Sequence, residues 1–253
     1  MKFTQVITRL PALNCAEGQT TADDGRPDSG KTRQQFFRYI EIMLELGIRV
    51  TILPAEPDFP DAHFVEDPAV ILPELAIITH SGVLSRQGEG ALLAPELEKY
   101  RPLYVMSDKG QLDGGDVLLA DKHFFIGMTR RTNMAGLDEF ATVVAPLGYR
   151  VTPVAVDSGL HLKSVVNYIG QNTLLMTSAY EALPAFAGFR RLVIPDDEAY
   201  AGNTLLINGT LVMPEGYPVT REILRQAGMP VVTLDTSEFK RMDGSLSCLS
   251  LRF

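Results

Sequence analysis

The sequence predicts an α/β fold made by repetition, with five pseudo-symmetric units set radially about an axis like the blades of a propeller. Three observations predict it. The first is a junction that occurs three times, as Glu45-Leu-Gly47-Ile-Arg-Val-Thr, Pro146-Leu-Gly148-Tyr-Arg-Val-Thr and Gln226-Ala-Gly228-Met-Pro-Val-Val. Each reads as a helix end, a glycine in the left-handed cap, and then a strand. The second is a recurring hairpin, seen from Val117, Val165 and Leu205, with a fourth from Ala69; the one from Leu205 turns on Asn208-Gly209. The third is a short polar cluster just before each hairpin: Glu66-Asp67-Pro68, Asp113-Gly-Gly-Asp116, His161-Leu-Lys163-Ser164 and Gly202-Asn203-Thr204. Cys248 precedes the final strand in the same way. Positions 67, 113, 161, 203 and 248 are separated by 46, 48, 42 and 45 residues. Strand-bearing repeats of this length point their corresponding loops at a shared centre.

In chain order, residues 3–9 read as a strand that closes the ring against the C-terminal strand. Residues 14–28 have no hydrophobic period, and a long loop of this kind in a compact fold suits a lid. Phe36, Phe37, Ile40, Met43 and Leu44 recur at helical spacing, as do Leu137, Phe140, Val143, Val144 and Leu147 behind a Thr132/Asn133 cap. These stripes read as core. Near the end, Asp243-Gly244 signals a turn, and Leu249, Leu251 and Phe253 alternate, so Cys248 sits where a loop enters the last strand. No linker rich in Pro, Gly or Ser divides the chain, and residues 1–253 read as a single domain.

With 45% hydrophobic residues the chain can bury a full core. Its 23 basic against 31 acidic residues, a net charge of −8, exclude a nucleic-acid footprint. The first residues are unlike an export signal and no apolar run approaches a membrane span, so a cytoplasmic location is expected. Cys15 and Cys248 are then expected as free thiols. The partner is a small molecule or another protein, and a homo-oligomer is left open.

Cys248, His161, Asp67 and Asp113 supply a nucleophile, a proton carrier and two cation-binding groups from separate loops. Taken singly, each has a plain structural reading: a buried thiol, a satisfied histidine, a turn-forming aspartate. Their common phase in one repeat is what those readings leave unexplained. Two carboxylates beside a cysteine raise its pKa, which suits a substrate that is itself positive. A guanidinium fits, since its planar N–H donors pair with carboxylates in forks and its charge favours the thiolate. No His-x-x-x-His or Cys-x-x-Cys spacing occurs, so neither a metal nor a cofactor is expected. His63, His80 and His123 read as structural or surface groups, and Lys163 and Ser164 as backbone-bonding residues near the site.

Four motifs together resemble the dimethylarginine dimethylaminohydrolase family of the guanidino-group-modifying superfamily: Asp58-Phe-Pro-Asp61 leading to Phe64-Val-Glu-Asp-Pro68, Leu112-Asp-Gly-Gly-Asp-Val117, Leu160-His-Leu-Lys-Ser164, and Asp243-Gly-Ser-Leu-Ser-Cys-Leu-Ser-Leu-Arg-Phe253. The resemblance covers essentially the whole chain and implies a five-bladed α/β propeller in one catalytic domain. It implies Cys248 as nucleophile, His161 as acid/base, and Asp67 and Asp113 as the guanidinium carboxylates. It further implies Arg86 and Arg131 at the substrate α-carboxylate, Asp61 near the α-amine, and Glu66 and Met242 along the substrate. Gln19 aligns with a lid position that is commonly apolar in the family. The implied activity is hydrolysis of an Nω-methylated arginine to citrulline and a methylamine without cofactor. An arginine deiminase-like hydrolase or one acting on another substituted guanidine keeps the same motifs, and a non-catalytic guanidine-binding protein is the alternative from another class.

Overall fold

The computed structural model describes residues 2–253. Strand β1 (Gln5–Arg9) pairs in parallel with β2 (Arg49–Leu53) across helix α1 (Ser29–Glu45), and antiparallel with the last strand, Leu251–Arg252. The chain ends therefore share one sheet, as the sequence predicts. The second unit has β3 (Ala69–Ile71), β4 (Ala76–Ile78), α2 (Glu89–Leu97) and β5 (Leu103–Val105); the third has β6 (Val117–Ala120), β7 (His123–Met128), α3 (Met134–Val144) and β8 (Arg150–Ala155). The fourth contains β9 (Val166–Tyr168), β10 (Thr173–Thr177) and β11 (Arg190–Ile194), and the fifth β12 (Leu205–Ile207), β13 (Thr210–Pro214), α4 (Pro218–Gln226) and β14 (Val231–Leu234). After a one-turn helix, α5 (Ser237–Lys240), the last strand, β15, returns to the first unit. Four sheets share one plan, an antiparallel hairpin followed by a crossover to a parallel third strand, and the first sheet has the same arrangement with its antiparallel pair made by the two chain ends.

A parallel third strand needs a crossover, and a helix is the usual one. The predicted caps are present: Gly47, Gly148 and Gly228 have φ of 77°, 82° and 80°, and the Asn133 side chain accepts from Gly136 N at 3.0 Å. Two crossovers carry no such glycine junction. Helix α2 contains Pro95 and leads to its strand through Arg101-Pro102. In the fourth unit there is no α-helix; two short 3-10 turns, Ser178–Tyr180 and Pro184–Phe186, make the crossover. Pro184 disfavours helical geometry at Leu183, and fully buried Phe186 packs on Phe125, with ring centroids 5.2 Å apart.

The α1 stripe needs correction. Phe36, Ile40 and Met43 are buried, but Phe37 is 47% and Leu44 57% exposed. Each follows a buried position by one residue, a rotation of about 100° that turns it off the buried face.

The core is divided among five clusters, one between each pair of neighbouring units. Ile7 and Leu251 pack with Ala76, Ile78 and Leu97; Ile77 with Phe124 and Phe140; Phe125 with Leu174 and Phe186; Leu175 with Leu211 and Leu224. Val6, Phe36 and Met43 pack with Ile207, Val212 and Leu234, so the fifth unit meets the first and the ring is closed. Each unit thus depends on both neighbours to cover its apolar faces. Truncating a central ring such as Phe124 or Phe186 to alanine costs about 3–5 kcal/mol.

The strand antiparallel to the central one in each sheet, β3, β6, β9, β12 and β15, contributes residues to an axial cavity of about 520 Å³. Glu66, Gly114, Lys163 and Ser247, from the loops leading into four of those strands, also line it. Those same loops carry the candidate site.

Candidate active site

Three of the predicted loop residues meet directly. One carboxylate oxygen from each of Asp67 and Asp113 and a ring nitrogen of His161 lie within 4.8 Å of one another, and all three residues are buried. His161 Nε2 is 3.2 Å from Asp113 Oδ2, and His161 Nδ1 is 3.9 Å from Asp67 Oδ1. Gly115 makes this convergence sterically feasible: a Cβ there would come within 2.5 Å of His161 Nδ1 and 2.7 Å of Asp67 Oδ1. Its own N–H donates to Asp67 Oδ1 at 3.2 Å.

Asp116, read from the sequence as a turn residue, also has a positioning part. Its Oδ2 accepts from Thr129 and Thr132 hydroxyls at 2.7 Å, and Oδ1 accepts from Leu162 N at 2.9 Å, joining the Asp113 loop to the His161 loop. Asn203, from the fourth polar cluster, fixes the Cys248 loop. It donates to Lys163 O at 2.9 Å and exchanges two 2.9 Å hydrogen bonds with Ser247, one residue before Cys248. Cys248 lies in a 3-10 turn entering β15 and remains partly accessible; Cys15 is buried.

Electrostatics give these groups their resting protonation. Burial opposes a charge on His161, but Asp67, its hydrogen bond to Asp113, and Asp116 outweigh that cost and lift its pKa to about 9. Burial likewise raises the Asp113 carboxyl, and the imidazole with Arg86 and Arg131 more than reverses this, leaving it below the usual range. The Cys248 thiol is pushed up to about 12, first by its packed surroundings and then by Asp67 and Glu66. Around neutral pH the site therefore holds a thiol, an imidazolium and carboxylate.

The arginines approach these carboxylates. Arg86 Nη1 is paired with Asp67 Oδ2, and Arg131 Nη1 is 3.6 Å from Asp113 Oδ2. Among the described residues, buried Arg131 Nη1 and Asp113 Oδ1 have no hydrogen-bond partner. Such groups are costly to leave unpaired, so an unmatched donor beside an unmatched acceptor marks a place for a charged, polar ligand. The Asp67, Asp113 and His161 spacing alone would suit a metal ion. A divalent cation there would, however, face two guanidiniums and an imidazolium.

The other predicted residues divide. Asp61 is buried and accepts from Gln19 N at 2.9 Å; burial raises its carboxyl pKa, against that hydrogen bond and Arg86. The Gln19 side chain itself is exposed. Residues 19–28 are docked: Thr20 donates to Arg241 O at 3.0 Å, Thr21 to Asp243 at 2.9 Å, and Asp28 N to Glu238 at 2.8 Å. Met242 is buried in the cluster of Phe64, Phe239 and Leu246 that abuts Cys248. Glu66 holds Lys163 at 2.7 Å and Arg252 at 2.6 Å. Burial works against its charge, and the two cations prevail to leave its pKa lowered. Lys163 thus binds a carboxylate through its side chain, where the sequence suggested a backbone contact.

Two residues escaped the sequence reading. Glu89 binds Arg86, and its signal is the Arg86-Gln-Gly-Glu89 spacing, which brings residues three apart together. Arg252 binds Glu66, and the alternation of Leu249, Leu251 and Phe253 already sets it on the other side of its strand.

A propeller of five α/β units with a cysteine, a histidine and two carboxylates gathered from its loops defines a guanidino-group-modifying protein. The chain belongs to the dimethylarginine dimethylaminohydrolase family. It is 35% identical to the N(G),N(G)-dimethylarginine dimethylaminohydrolase of Pseudomonas aeruginosa over 253 residues, 99% of this chain and 100% of that protein. It is 32% identical to the Streptomyces coelicolor protein of the same name, covering 100% and 98% of the two. The structure of a cysteine-to-serine mutant of the Pseudomonas protein complexed with citrulline superposes with a TM-score of 0.98, at 34% identity over the full length of both chains. The N-terminal domain of the cyanobacterial arginine dihydrolase ArgZ has the same fold, with a TM-score of 0.86 at 17% identity, covering 98% of this chain and 97% of that one. No family model matches the chain.

Proposed function

We propose that the chain hydrolyses Nω-methylated L-arginine, asymmetric dimethylarginine or monomethylarginine, to L-citrulline and a methylamine. Residues 1–253 act as one catalytic domain without a cofactor, and the expected setting is cytoplasmic; no helix among the described residues is long and apolar enough to cross a membrane. The observation that carries the reading is the pair of buried carboxylates, Asp67 and Asp113, on either side of the His161 imidazolium, with Asp113 Oδ1 unmatched. It is supported by two solved dimethylarginine dimethylaminohydrolase structures, the Pseudomonas one complexed with citrulline and one of a histidine-to-glycine variant that is an adduct with S-methyl-L-thiocitrulline.

In this reading the substrate guanidinium binds Asp67 and Asp113, and its positive charge offsets the carboxylates that keep the Cys248 thiol protonated. The thiol loses its proton to solvent and the thiolate attacks the guanidinium carbon. His161 donates its proton to the departing methylamine, leaving an S-alkylthiouronium on Cys248. The neutral imidazole then accepts a proton from water as that water adds to the same carbon, and expulsion of the thiolate yields citrulline. Asp113 orients and charges the imidazole; Arg86 and Arg131 take the α-carboxylate, and Asp61 the α-amine. The Gln19 lid segment covers the amino-acid end through its backbone, while Met242 lines the substrate and Glu66 acts from one step back through Lys163 and Arg252.

The deciding experiment is a citrulline assay with arginine, monomethylarginine and asymmetric dimethylarginine compared directly. Citrulline from the methylated substrates, with arginine turned over far more slowly, is the expected result. Ammonia released from arginine at the higher rate would make the chain a deiminase instead. Binding without turnover of any of them would make it a guanidine-binding protein.

A further inference from the structure

Asp67 already carries a guanidinium, that of Arg86. Arg86 Nη1 is on Asp67 Oδ2, while Glu89 holds the far side: Nε at 3.0 Å from Oε1 and Nη2 at 2.7 Å from Oε2. Nη2 also donates to Phe64 O at 3.1 Å, and the arginine is only 6% exposed. The other Asp67 oxygen accepts from Gly115 N and faces the His161 ring. Arg131 stands on Asp113 in the same way, at 3.6 Å. A forked pair uses both oxygens of a carboxylate, and two guanidiniums on one carboxylate repel. A substrate guanidinium that forks onto Asp67 needs Oδ2 as well as Oδ1, so it competes with Arg86 for that oxygen.

We infer that substrate binding is a coupled exchange of ion pairs, in which the incoming guanidinium displaces Arg86 from Asp67 and Arg131 from Asp113, and the substrate α-carboxylate takes up both arginines. The inference rests on the reading that Asp67 and Asp113 receive the guanidinium. Glu89 is the positioning residue: its grip on Nε and Nη2 lets Nη1 leave Asp67 while the buried arginine retains a counter-ion. Selectivity follows. A guanidine without a carboxylate leaves Arg131 displaced and unpaired and Arg86 with Glu89 alone, and an amino acid without a guanidinium must draw the arginines off carboxylates that gain nothing in return. Only a ligand with both charges completes the exchange, so its two halves help each other bind, and by linkage the help is reciprocal.

The test divides the substrate into its halves. Methylguanidine and alanine are titrated calorimetrically, singly and together, into the full-length Cys248→Ser protein. Saturating alanine should tighten methylguanidine about tenfold, and methylguanidine should tighten alanine by the same factor. Independent binding, or mutual exclusion, overturns the exchange. A second variant removes the competitor: Cys248→Ser with Arg86→Met and Glu89→Gln should bind methylguanidine several-fold tighter, bind monomethylarginine at least tenfold weaker, and lose the coupling to alanine. Weakening of both ligands together would make Arg86 a support for Asp67 and end the proposal. Should that variant fail to fold, the coupling measured with both arginines intact decides alone. If Cys248→Ser binds no monomethylarginine at all, the functional reading itself has failed and the exchange falls with it; hydrolysis by the unmodified enzyme with uncoupled halves defeats the exchange only.

Discussion

Glu66 and Asp67 are adjacent, equally charged and both buried, yet they belong to different regions of the molecule. Glu66 lines the axial cavity and has two cations to itself, Lys163 and Arg252. Asp67 lies among the groups of the site, where Arg86 is divided between it and Glu89, and where Asp113 and His161 crowd its other side. The difference teaches how one strand-entry loop serves two purposes. A carboxylate with dedicated cations holds neighbouring units together, and one whose counter-ion is shared can exchange that counter-ion for a ligand. Burial and charge are alike in the two cases; the ratio of cations to carboxylates separates them.

The largest effect that would sharpen this division concerns Cys248, on the Asp67 side. Cys248→Ser should reduce turnover on the order of 10⁴-fold or more, since a serine hydroxyl at this position has no accessible anion. Cys15→Ser, in a buried cluster outside the site, should stay within about twofold. Comparable loss in the two variants, measured by citrulline formation, would break the assignment.

His161 comes next. His161→Gly should lower kcat by about 10²–10⁴-fold, the range for losing a positioned acid and base. Methylarginine binding should persist, and mass spectrometry of the quenched variant should find an adduct on the Cys248 peptide when the leaving group departs readily. Added imidazole should restore part of the rate. The same residue gives a pH signature in stability. Its folded pKa is raised to about 9, so the stability it contributes is complete below its ordinary unfolded value and is lost as pH rises through about 9. Chemical denaturation should show wild type losing stability across that interval and His161→Gly losing less; parallel profiles would remove the imidazolium from the account.

Much of this architecture was legible because its signals are local. A glycine in a left-handed cap, an Asn-Gly turn or an alternating strand is written within a few residues, and the period of 42 to 48 residues between polar clusters carried those local signs into a ring. What stayed hidden was either locally atypical or defined only in three dimensions. The α2 junction has no capping glycine and reaches its strand through Arg101-Pro102, and the fourth crossover replaces a helix by turns around Pro184 and Phe186. The parts of Glu66, Glu89 and Arg252 depend on which charge each meets across units, and spacing alone leaves that open. Phe37 and Leu44 failed differently, as apolar residues one step off a real stripe.

The comparison between the two carboxylates is itself open to a swap. Glu66→Gln leaves Lys163 and Arg252 buried beside a neutral amide, and breaking a buried pair of this kind costs about 3–5 kcal/mol. Methylarginine affinity in the folded fraction should move less than about threefold. Asp67→Asn should do the reverse, weakening binding tenfold or more with a smaller change in stability, because Glu89 still pairs with Arg86. Denaturation midpoints and titrations on both variants read the two effects separately. If Glu66→Gln loses affinity as Asp67→Asn does, Glu66 touches the substrate and the division drawn here is wrong.

The smallest expected effect is at the lid. Gln19 is the position where the family resemblance leads one to expect an apolar residue, yet its contact with the site is made by its backbone N–H on Asp61 at 2.9 Å, with the side chain exposed. Changing that side chain leaves the N–H in place, so Gln19→Ala and Gln19→Leu should each change kcat/KM by no more than about twofold, within the range of an exposed substitution. Gly18 is the sensitive neighbour. A Cβ at Gly18 would lie 2.1 Å from Asp61 Oδ1, closer than atoms can approach, so Gly18→Ala has to push the lid backbone or the carboxylate aside. That should raise KM for methylarginine about tenfold or more while kcat, set by Cys248 and His161, changes less. The order of the two is the informative result: a Gln19 variant that loses more than Gly18→Ala would mean that the lid reads the substrate through its side chain, and that the departure at Gln19 bears on substrate choice.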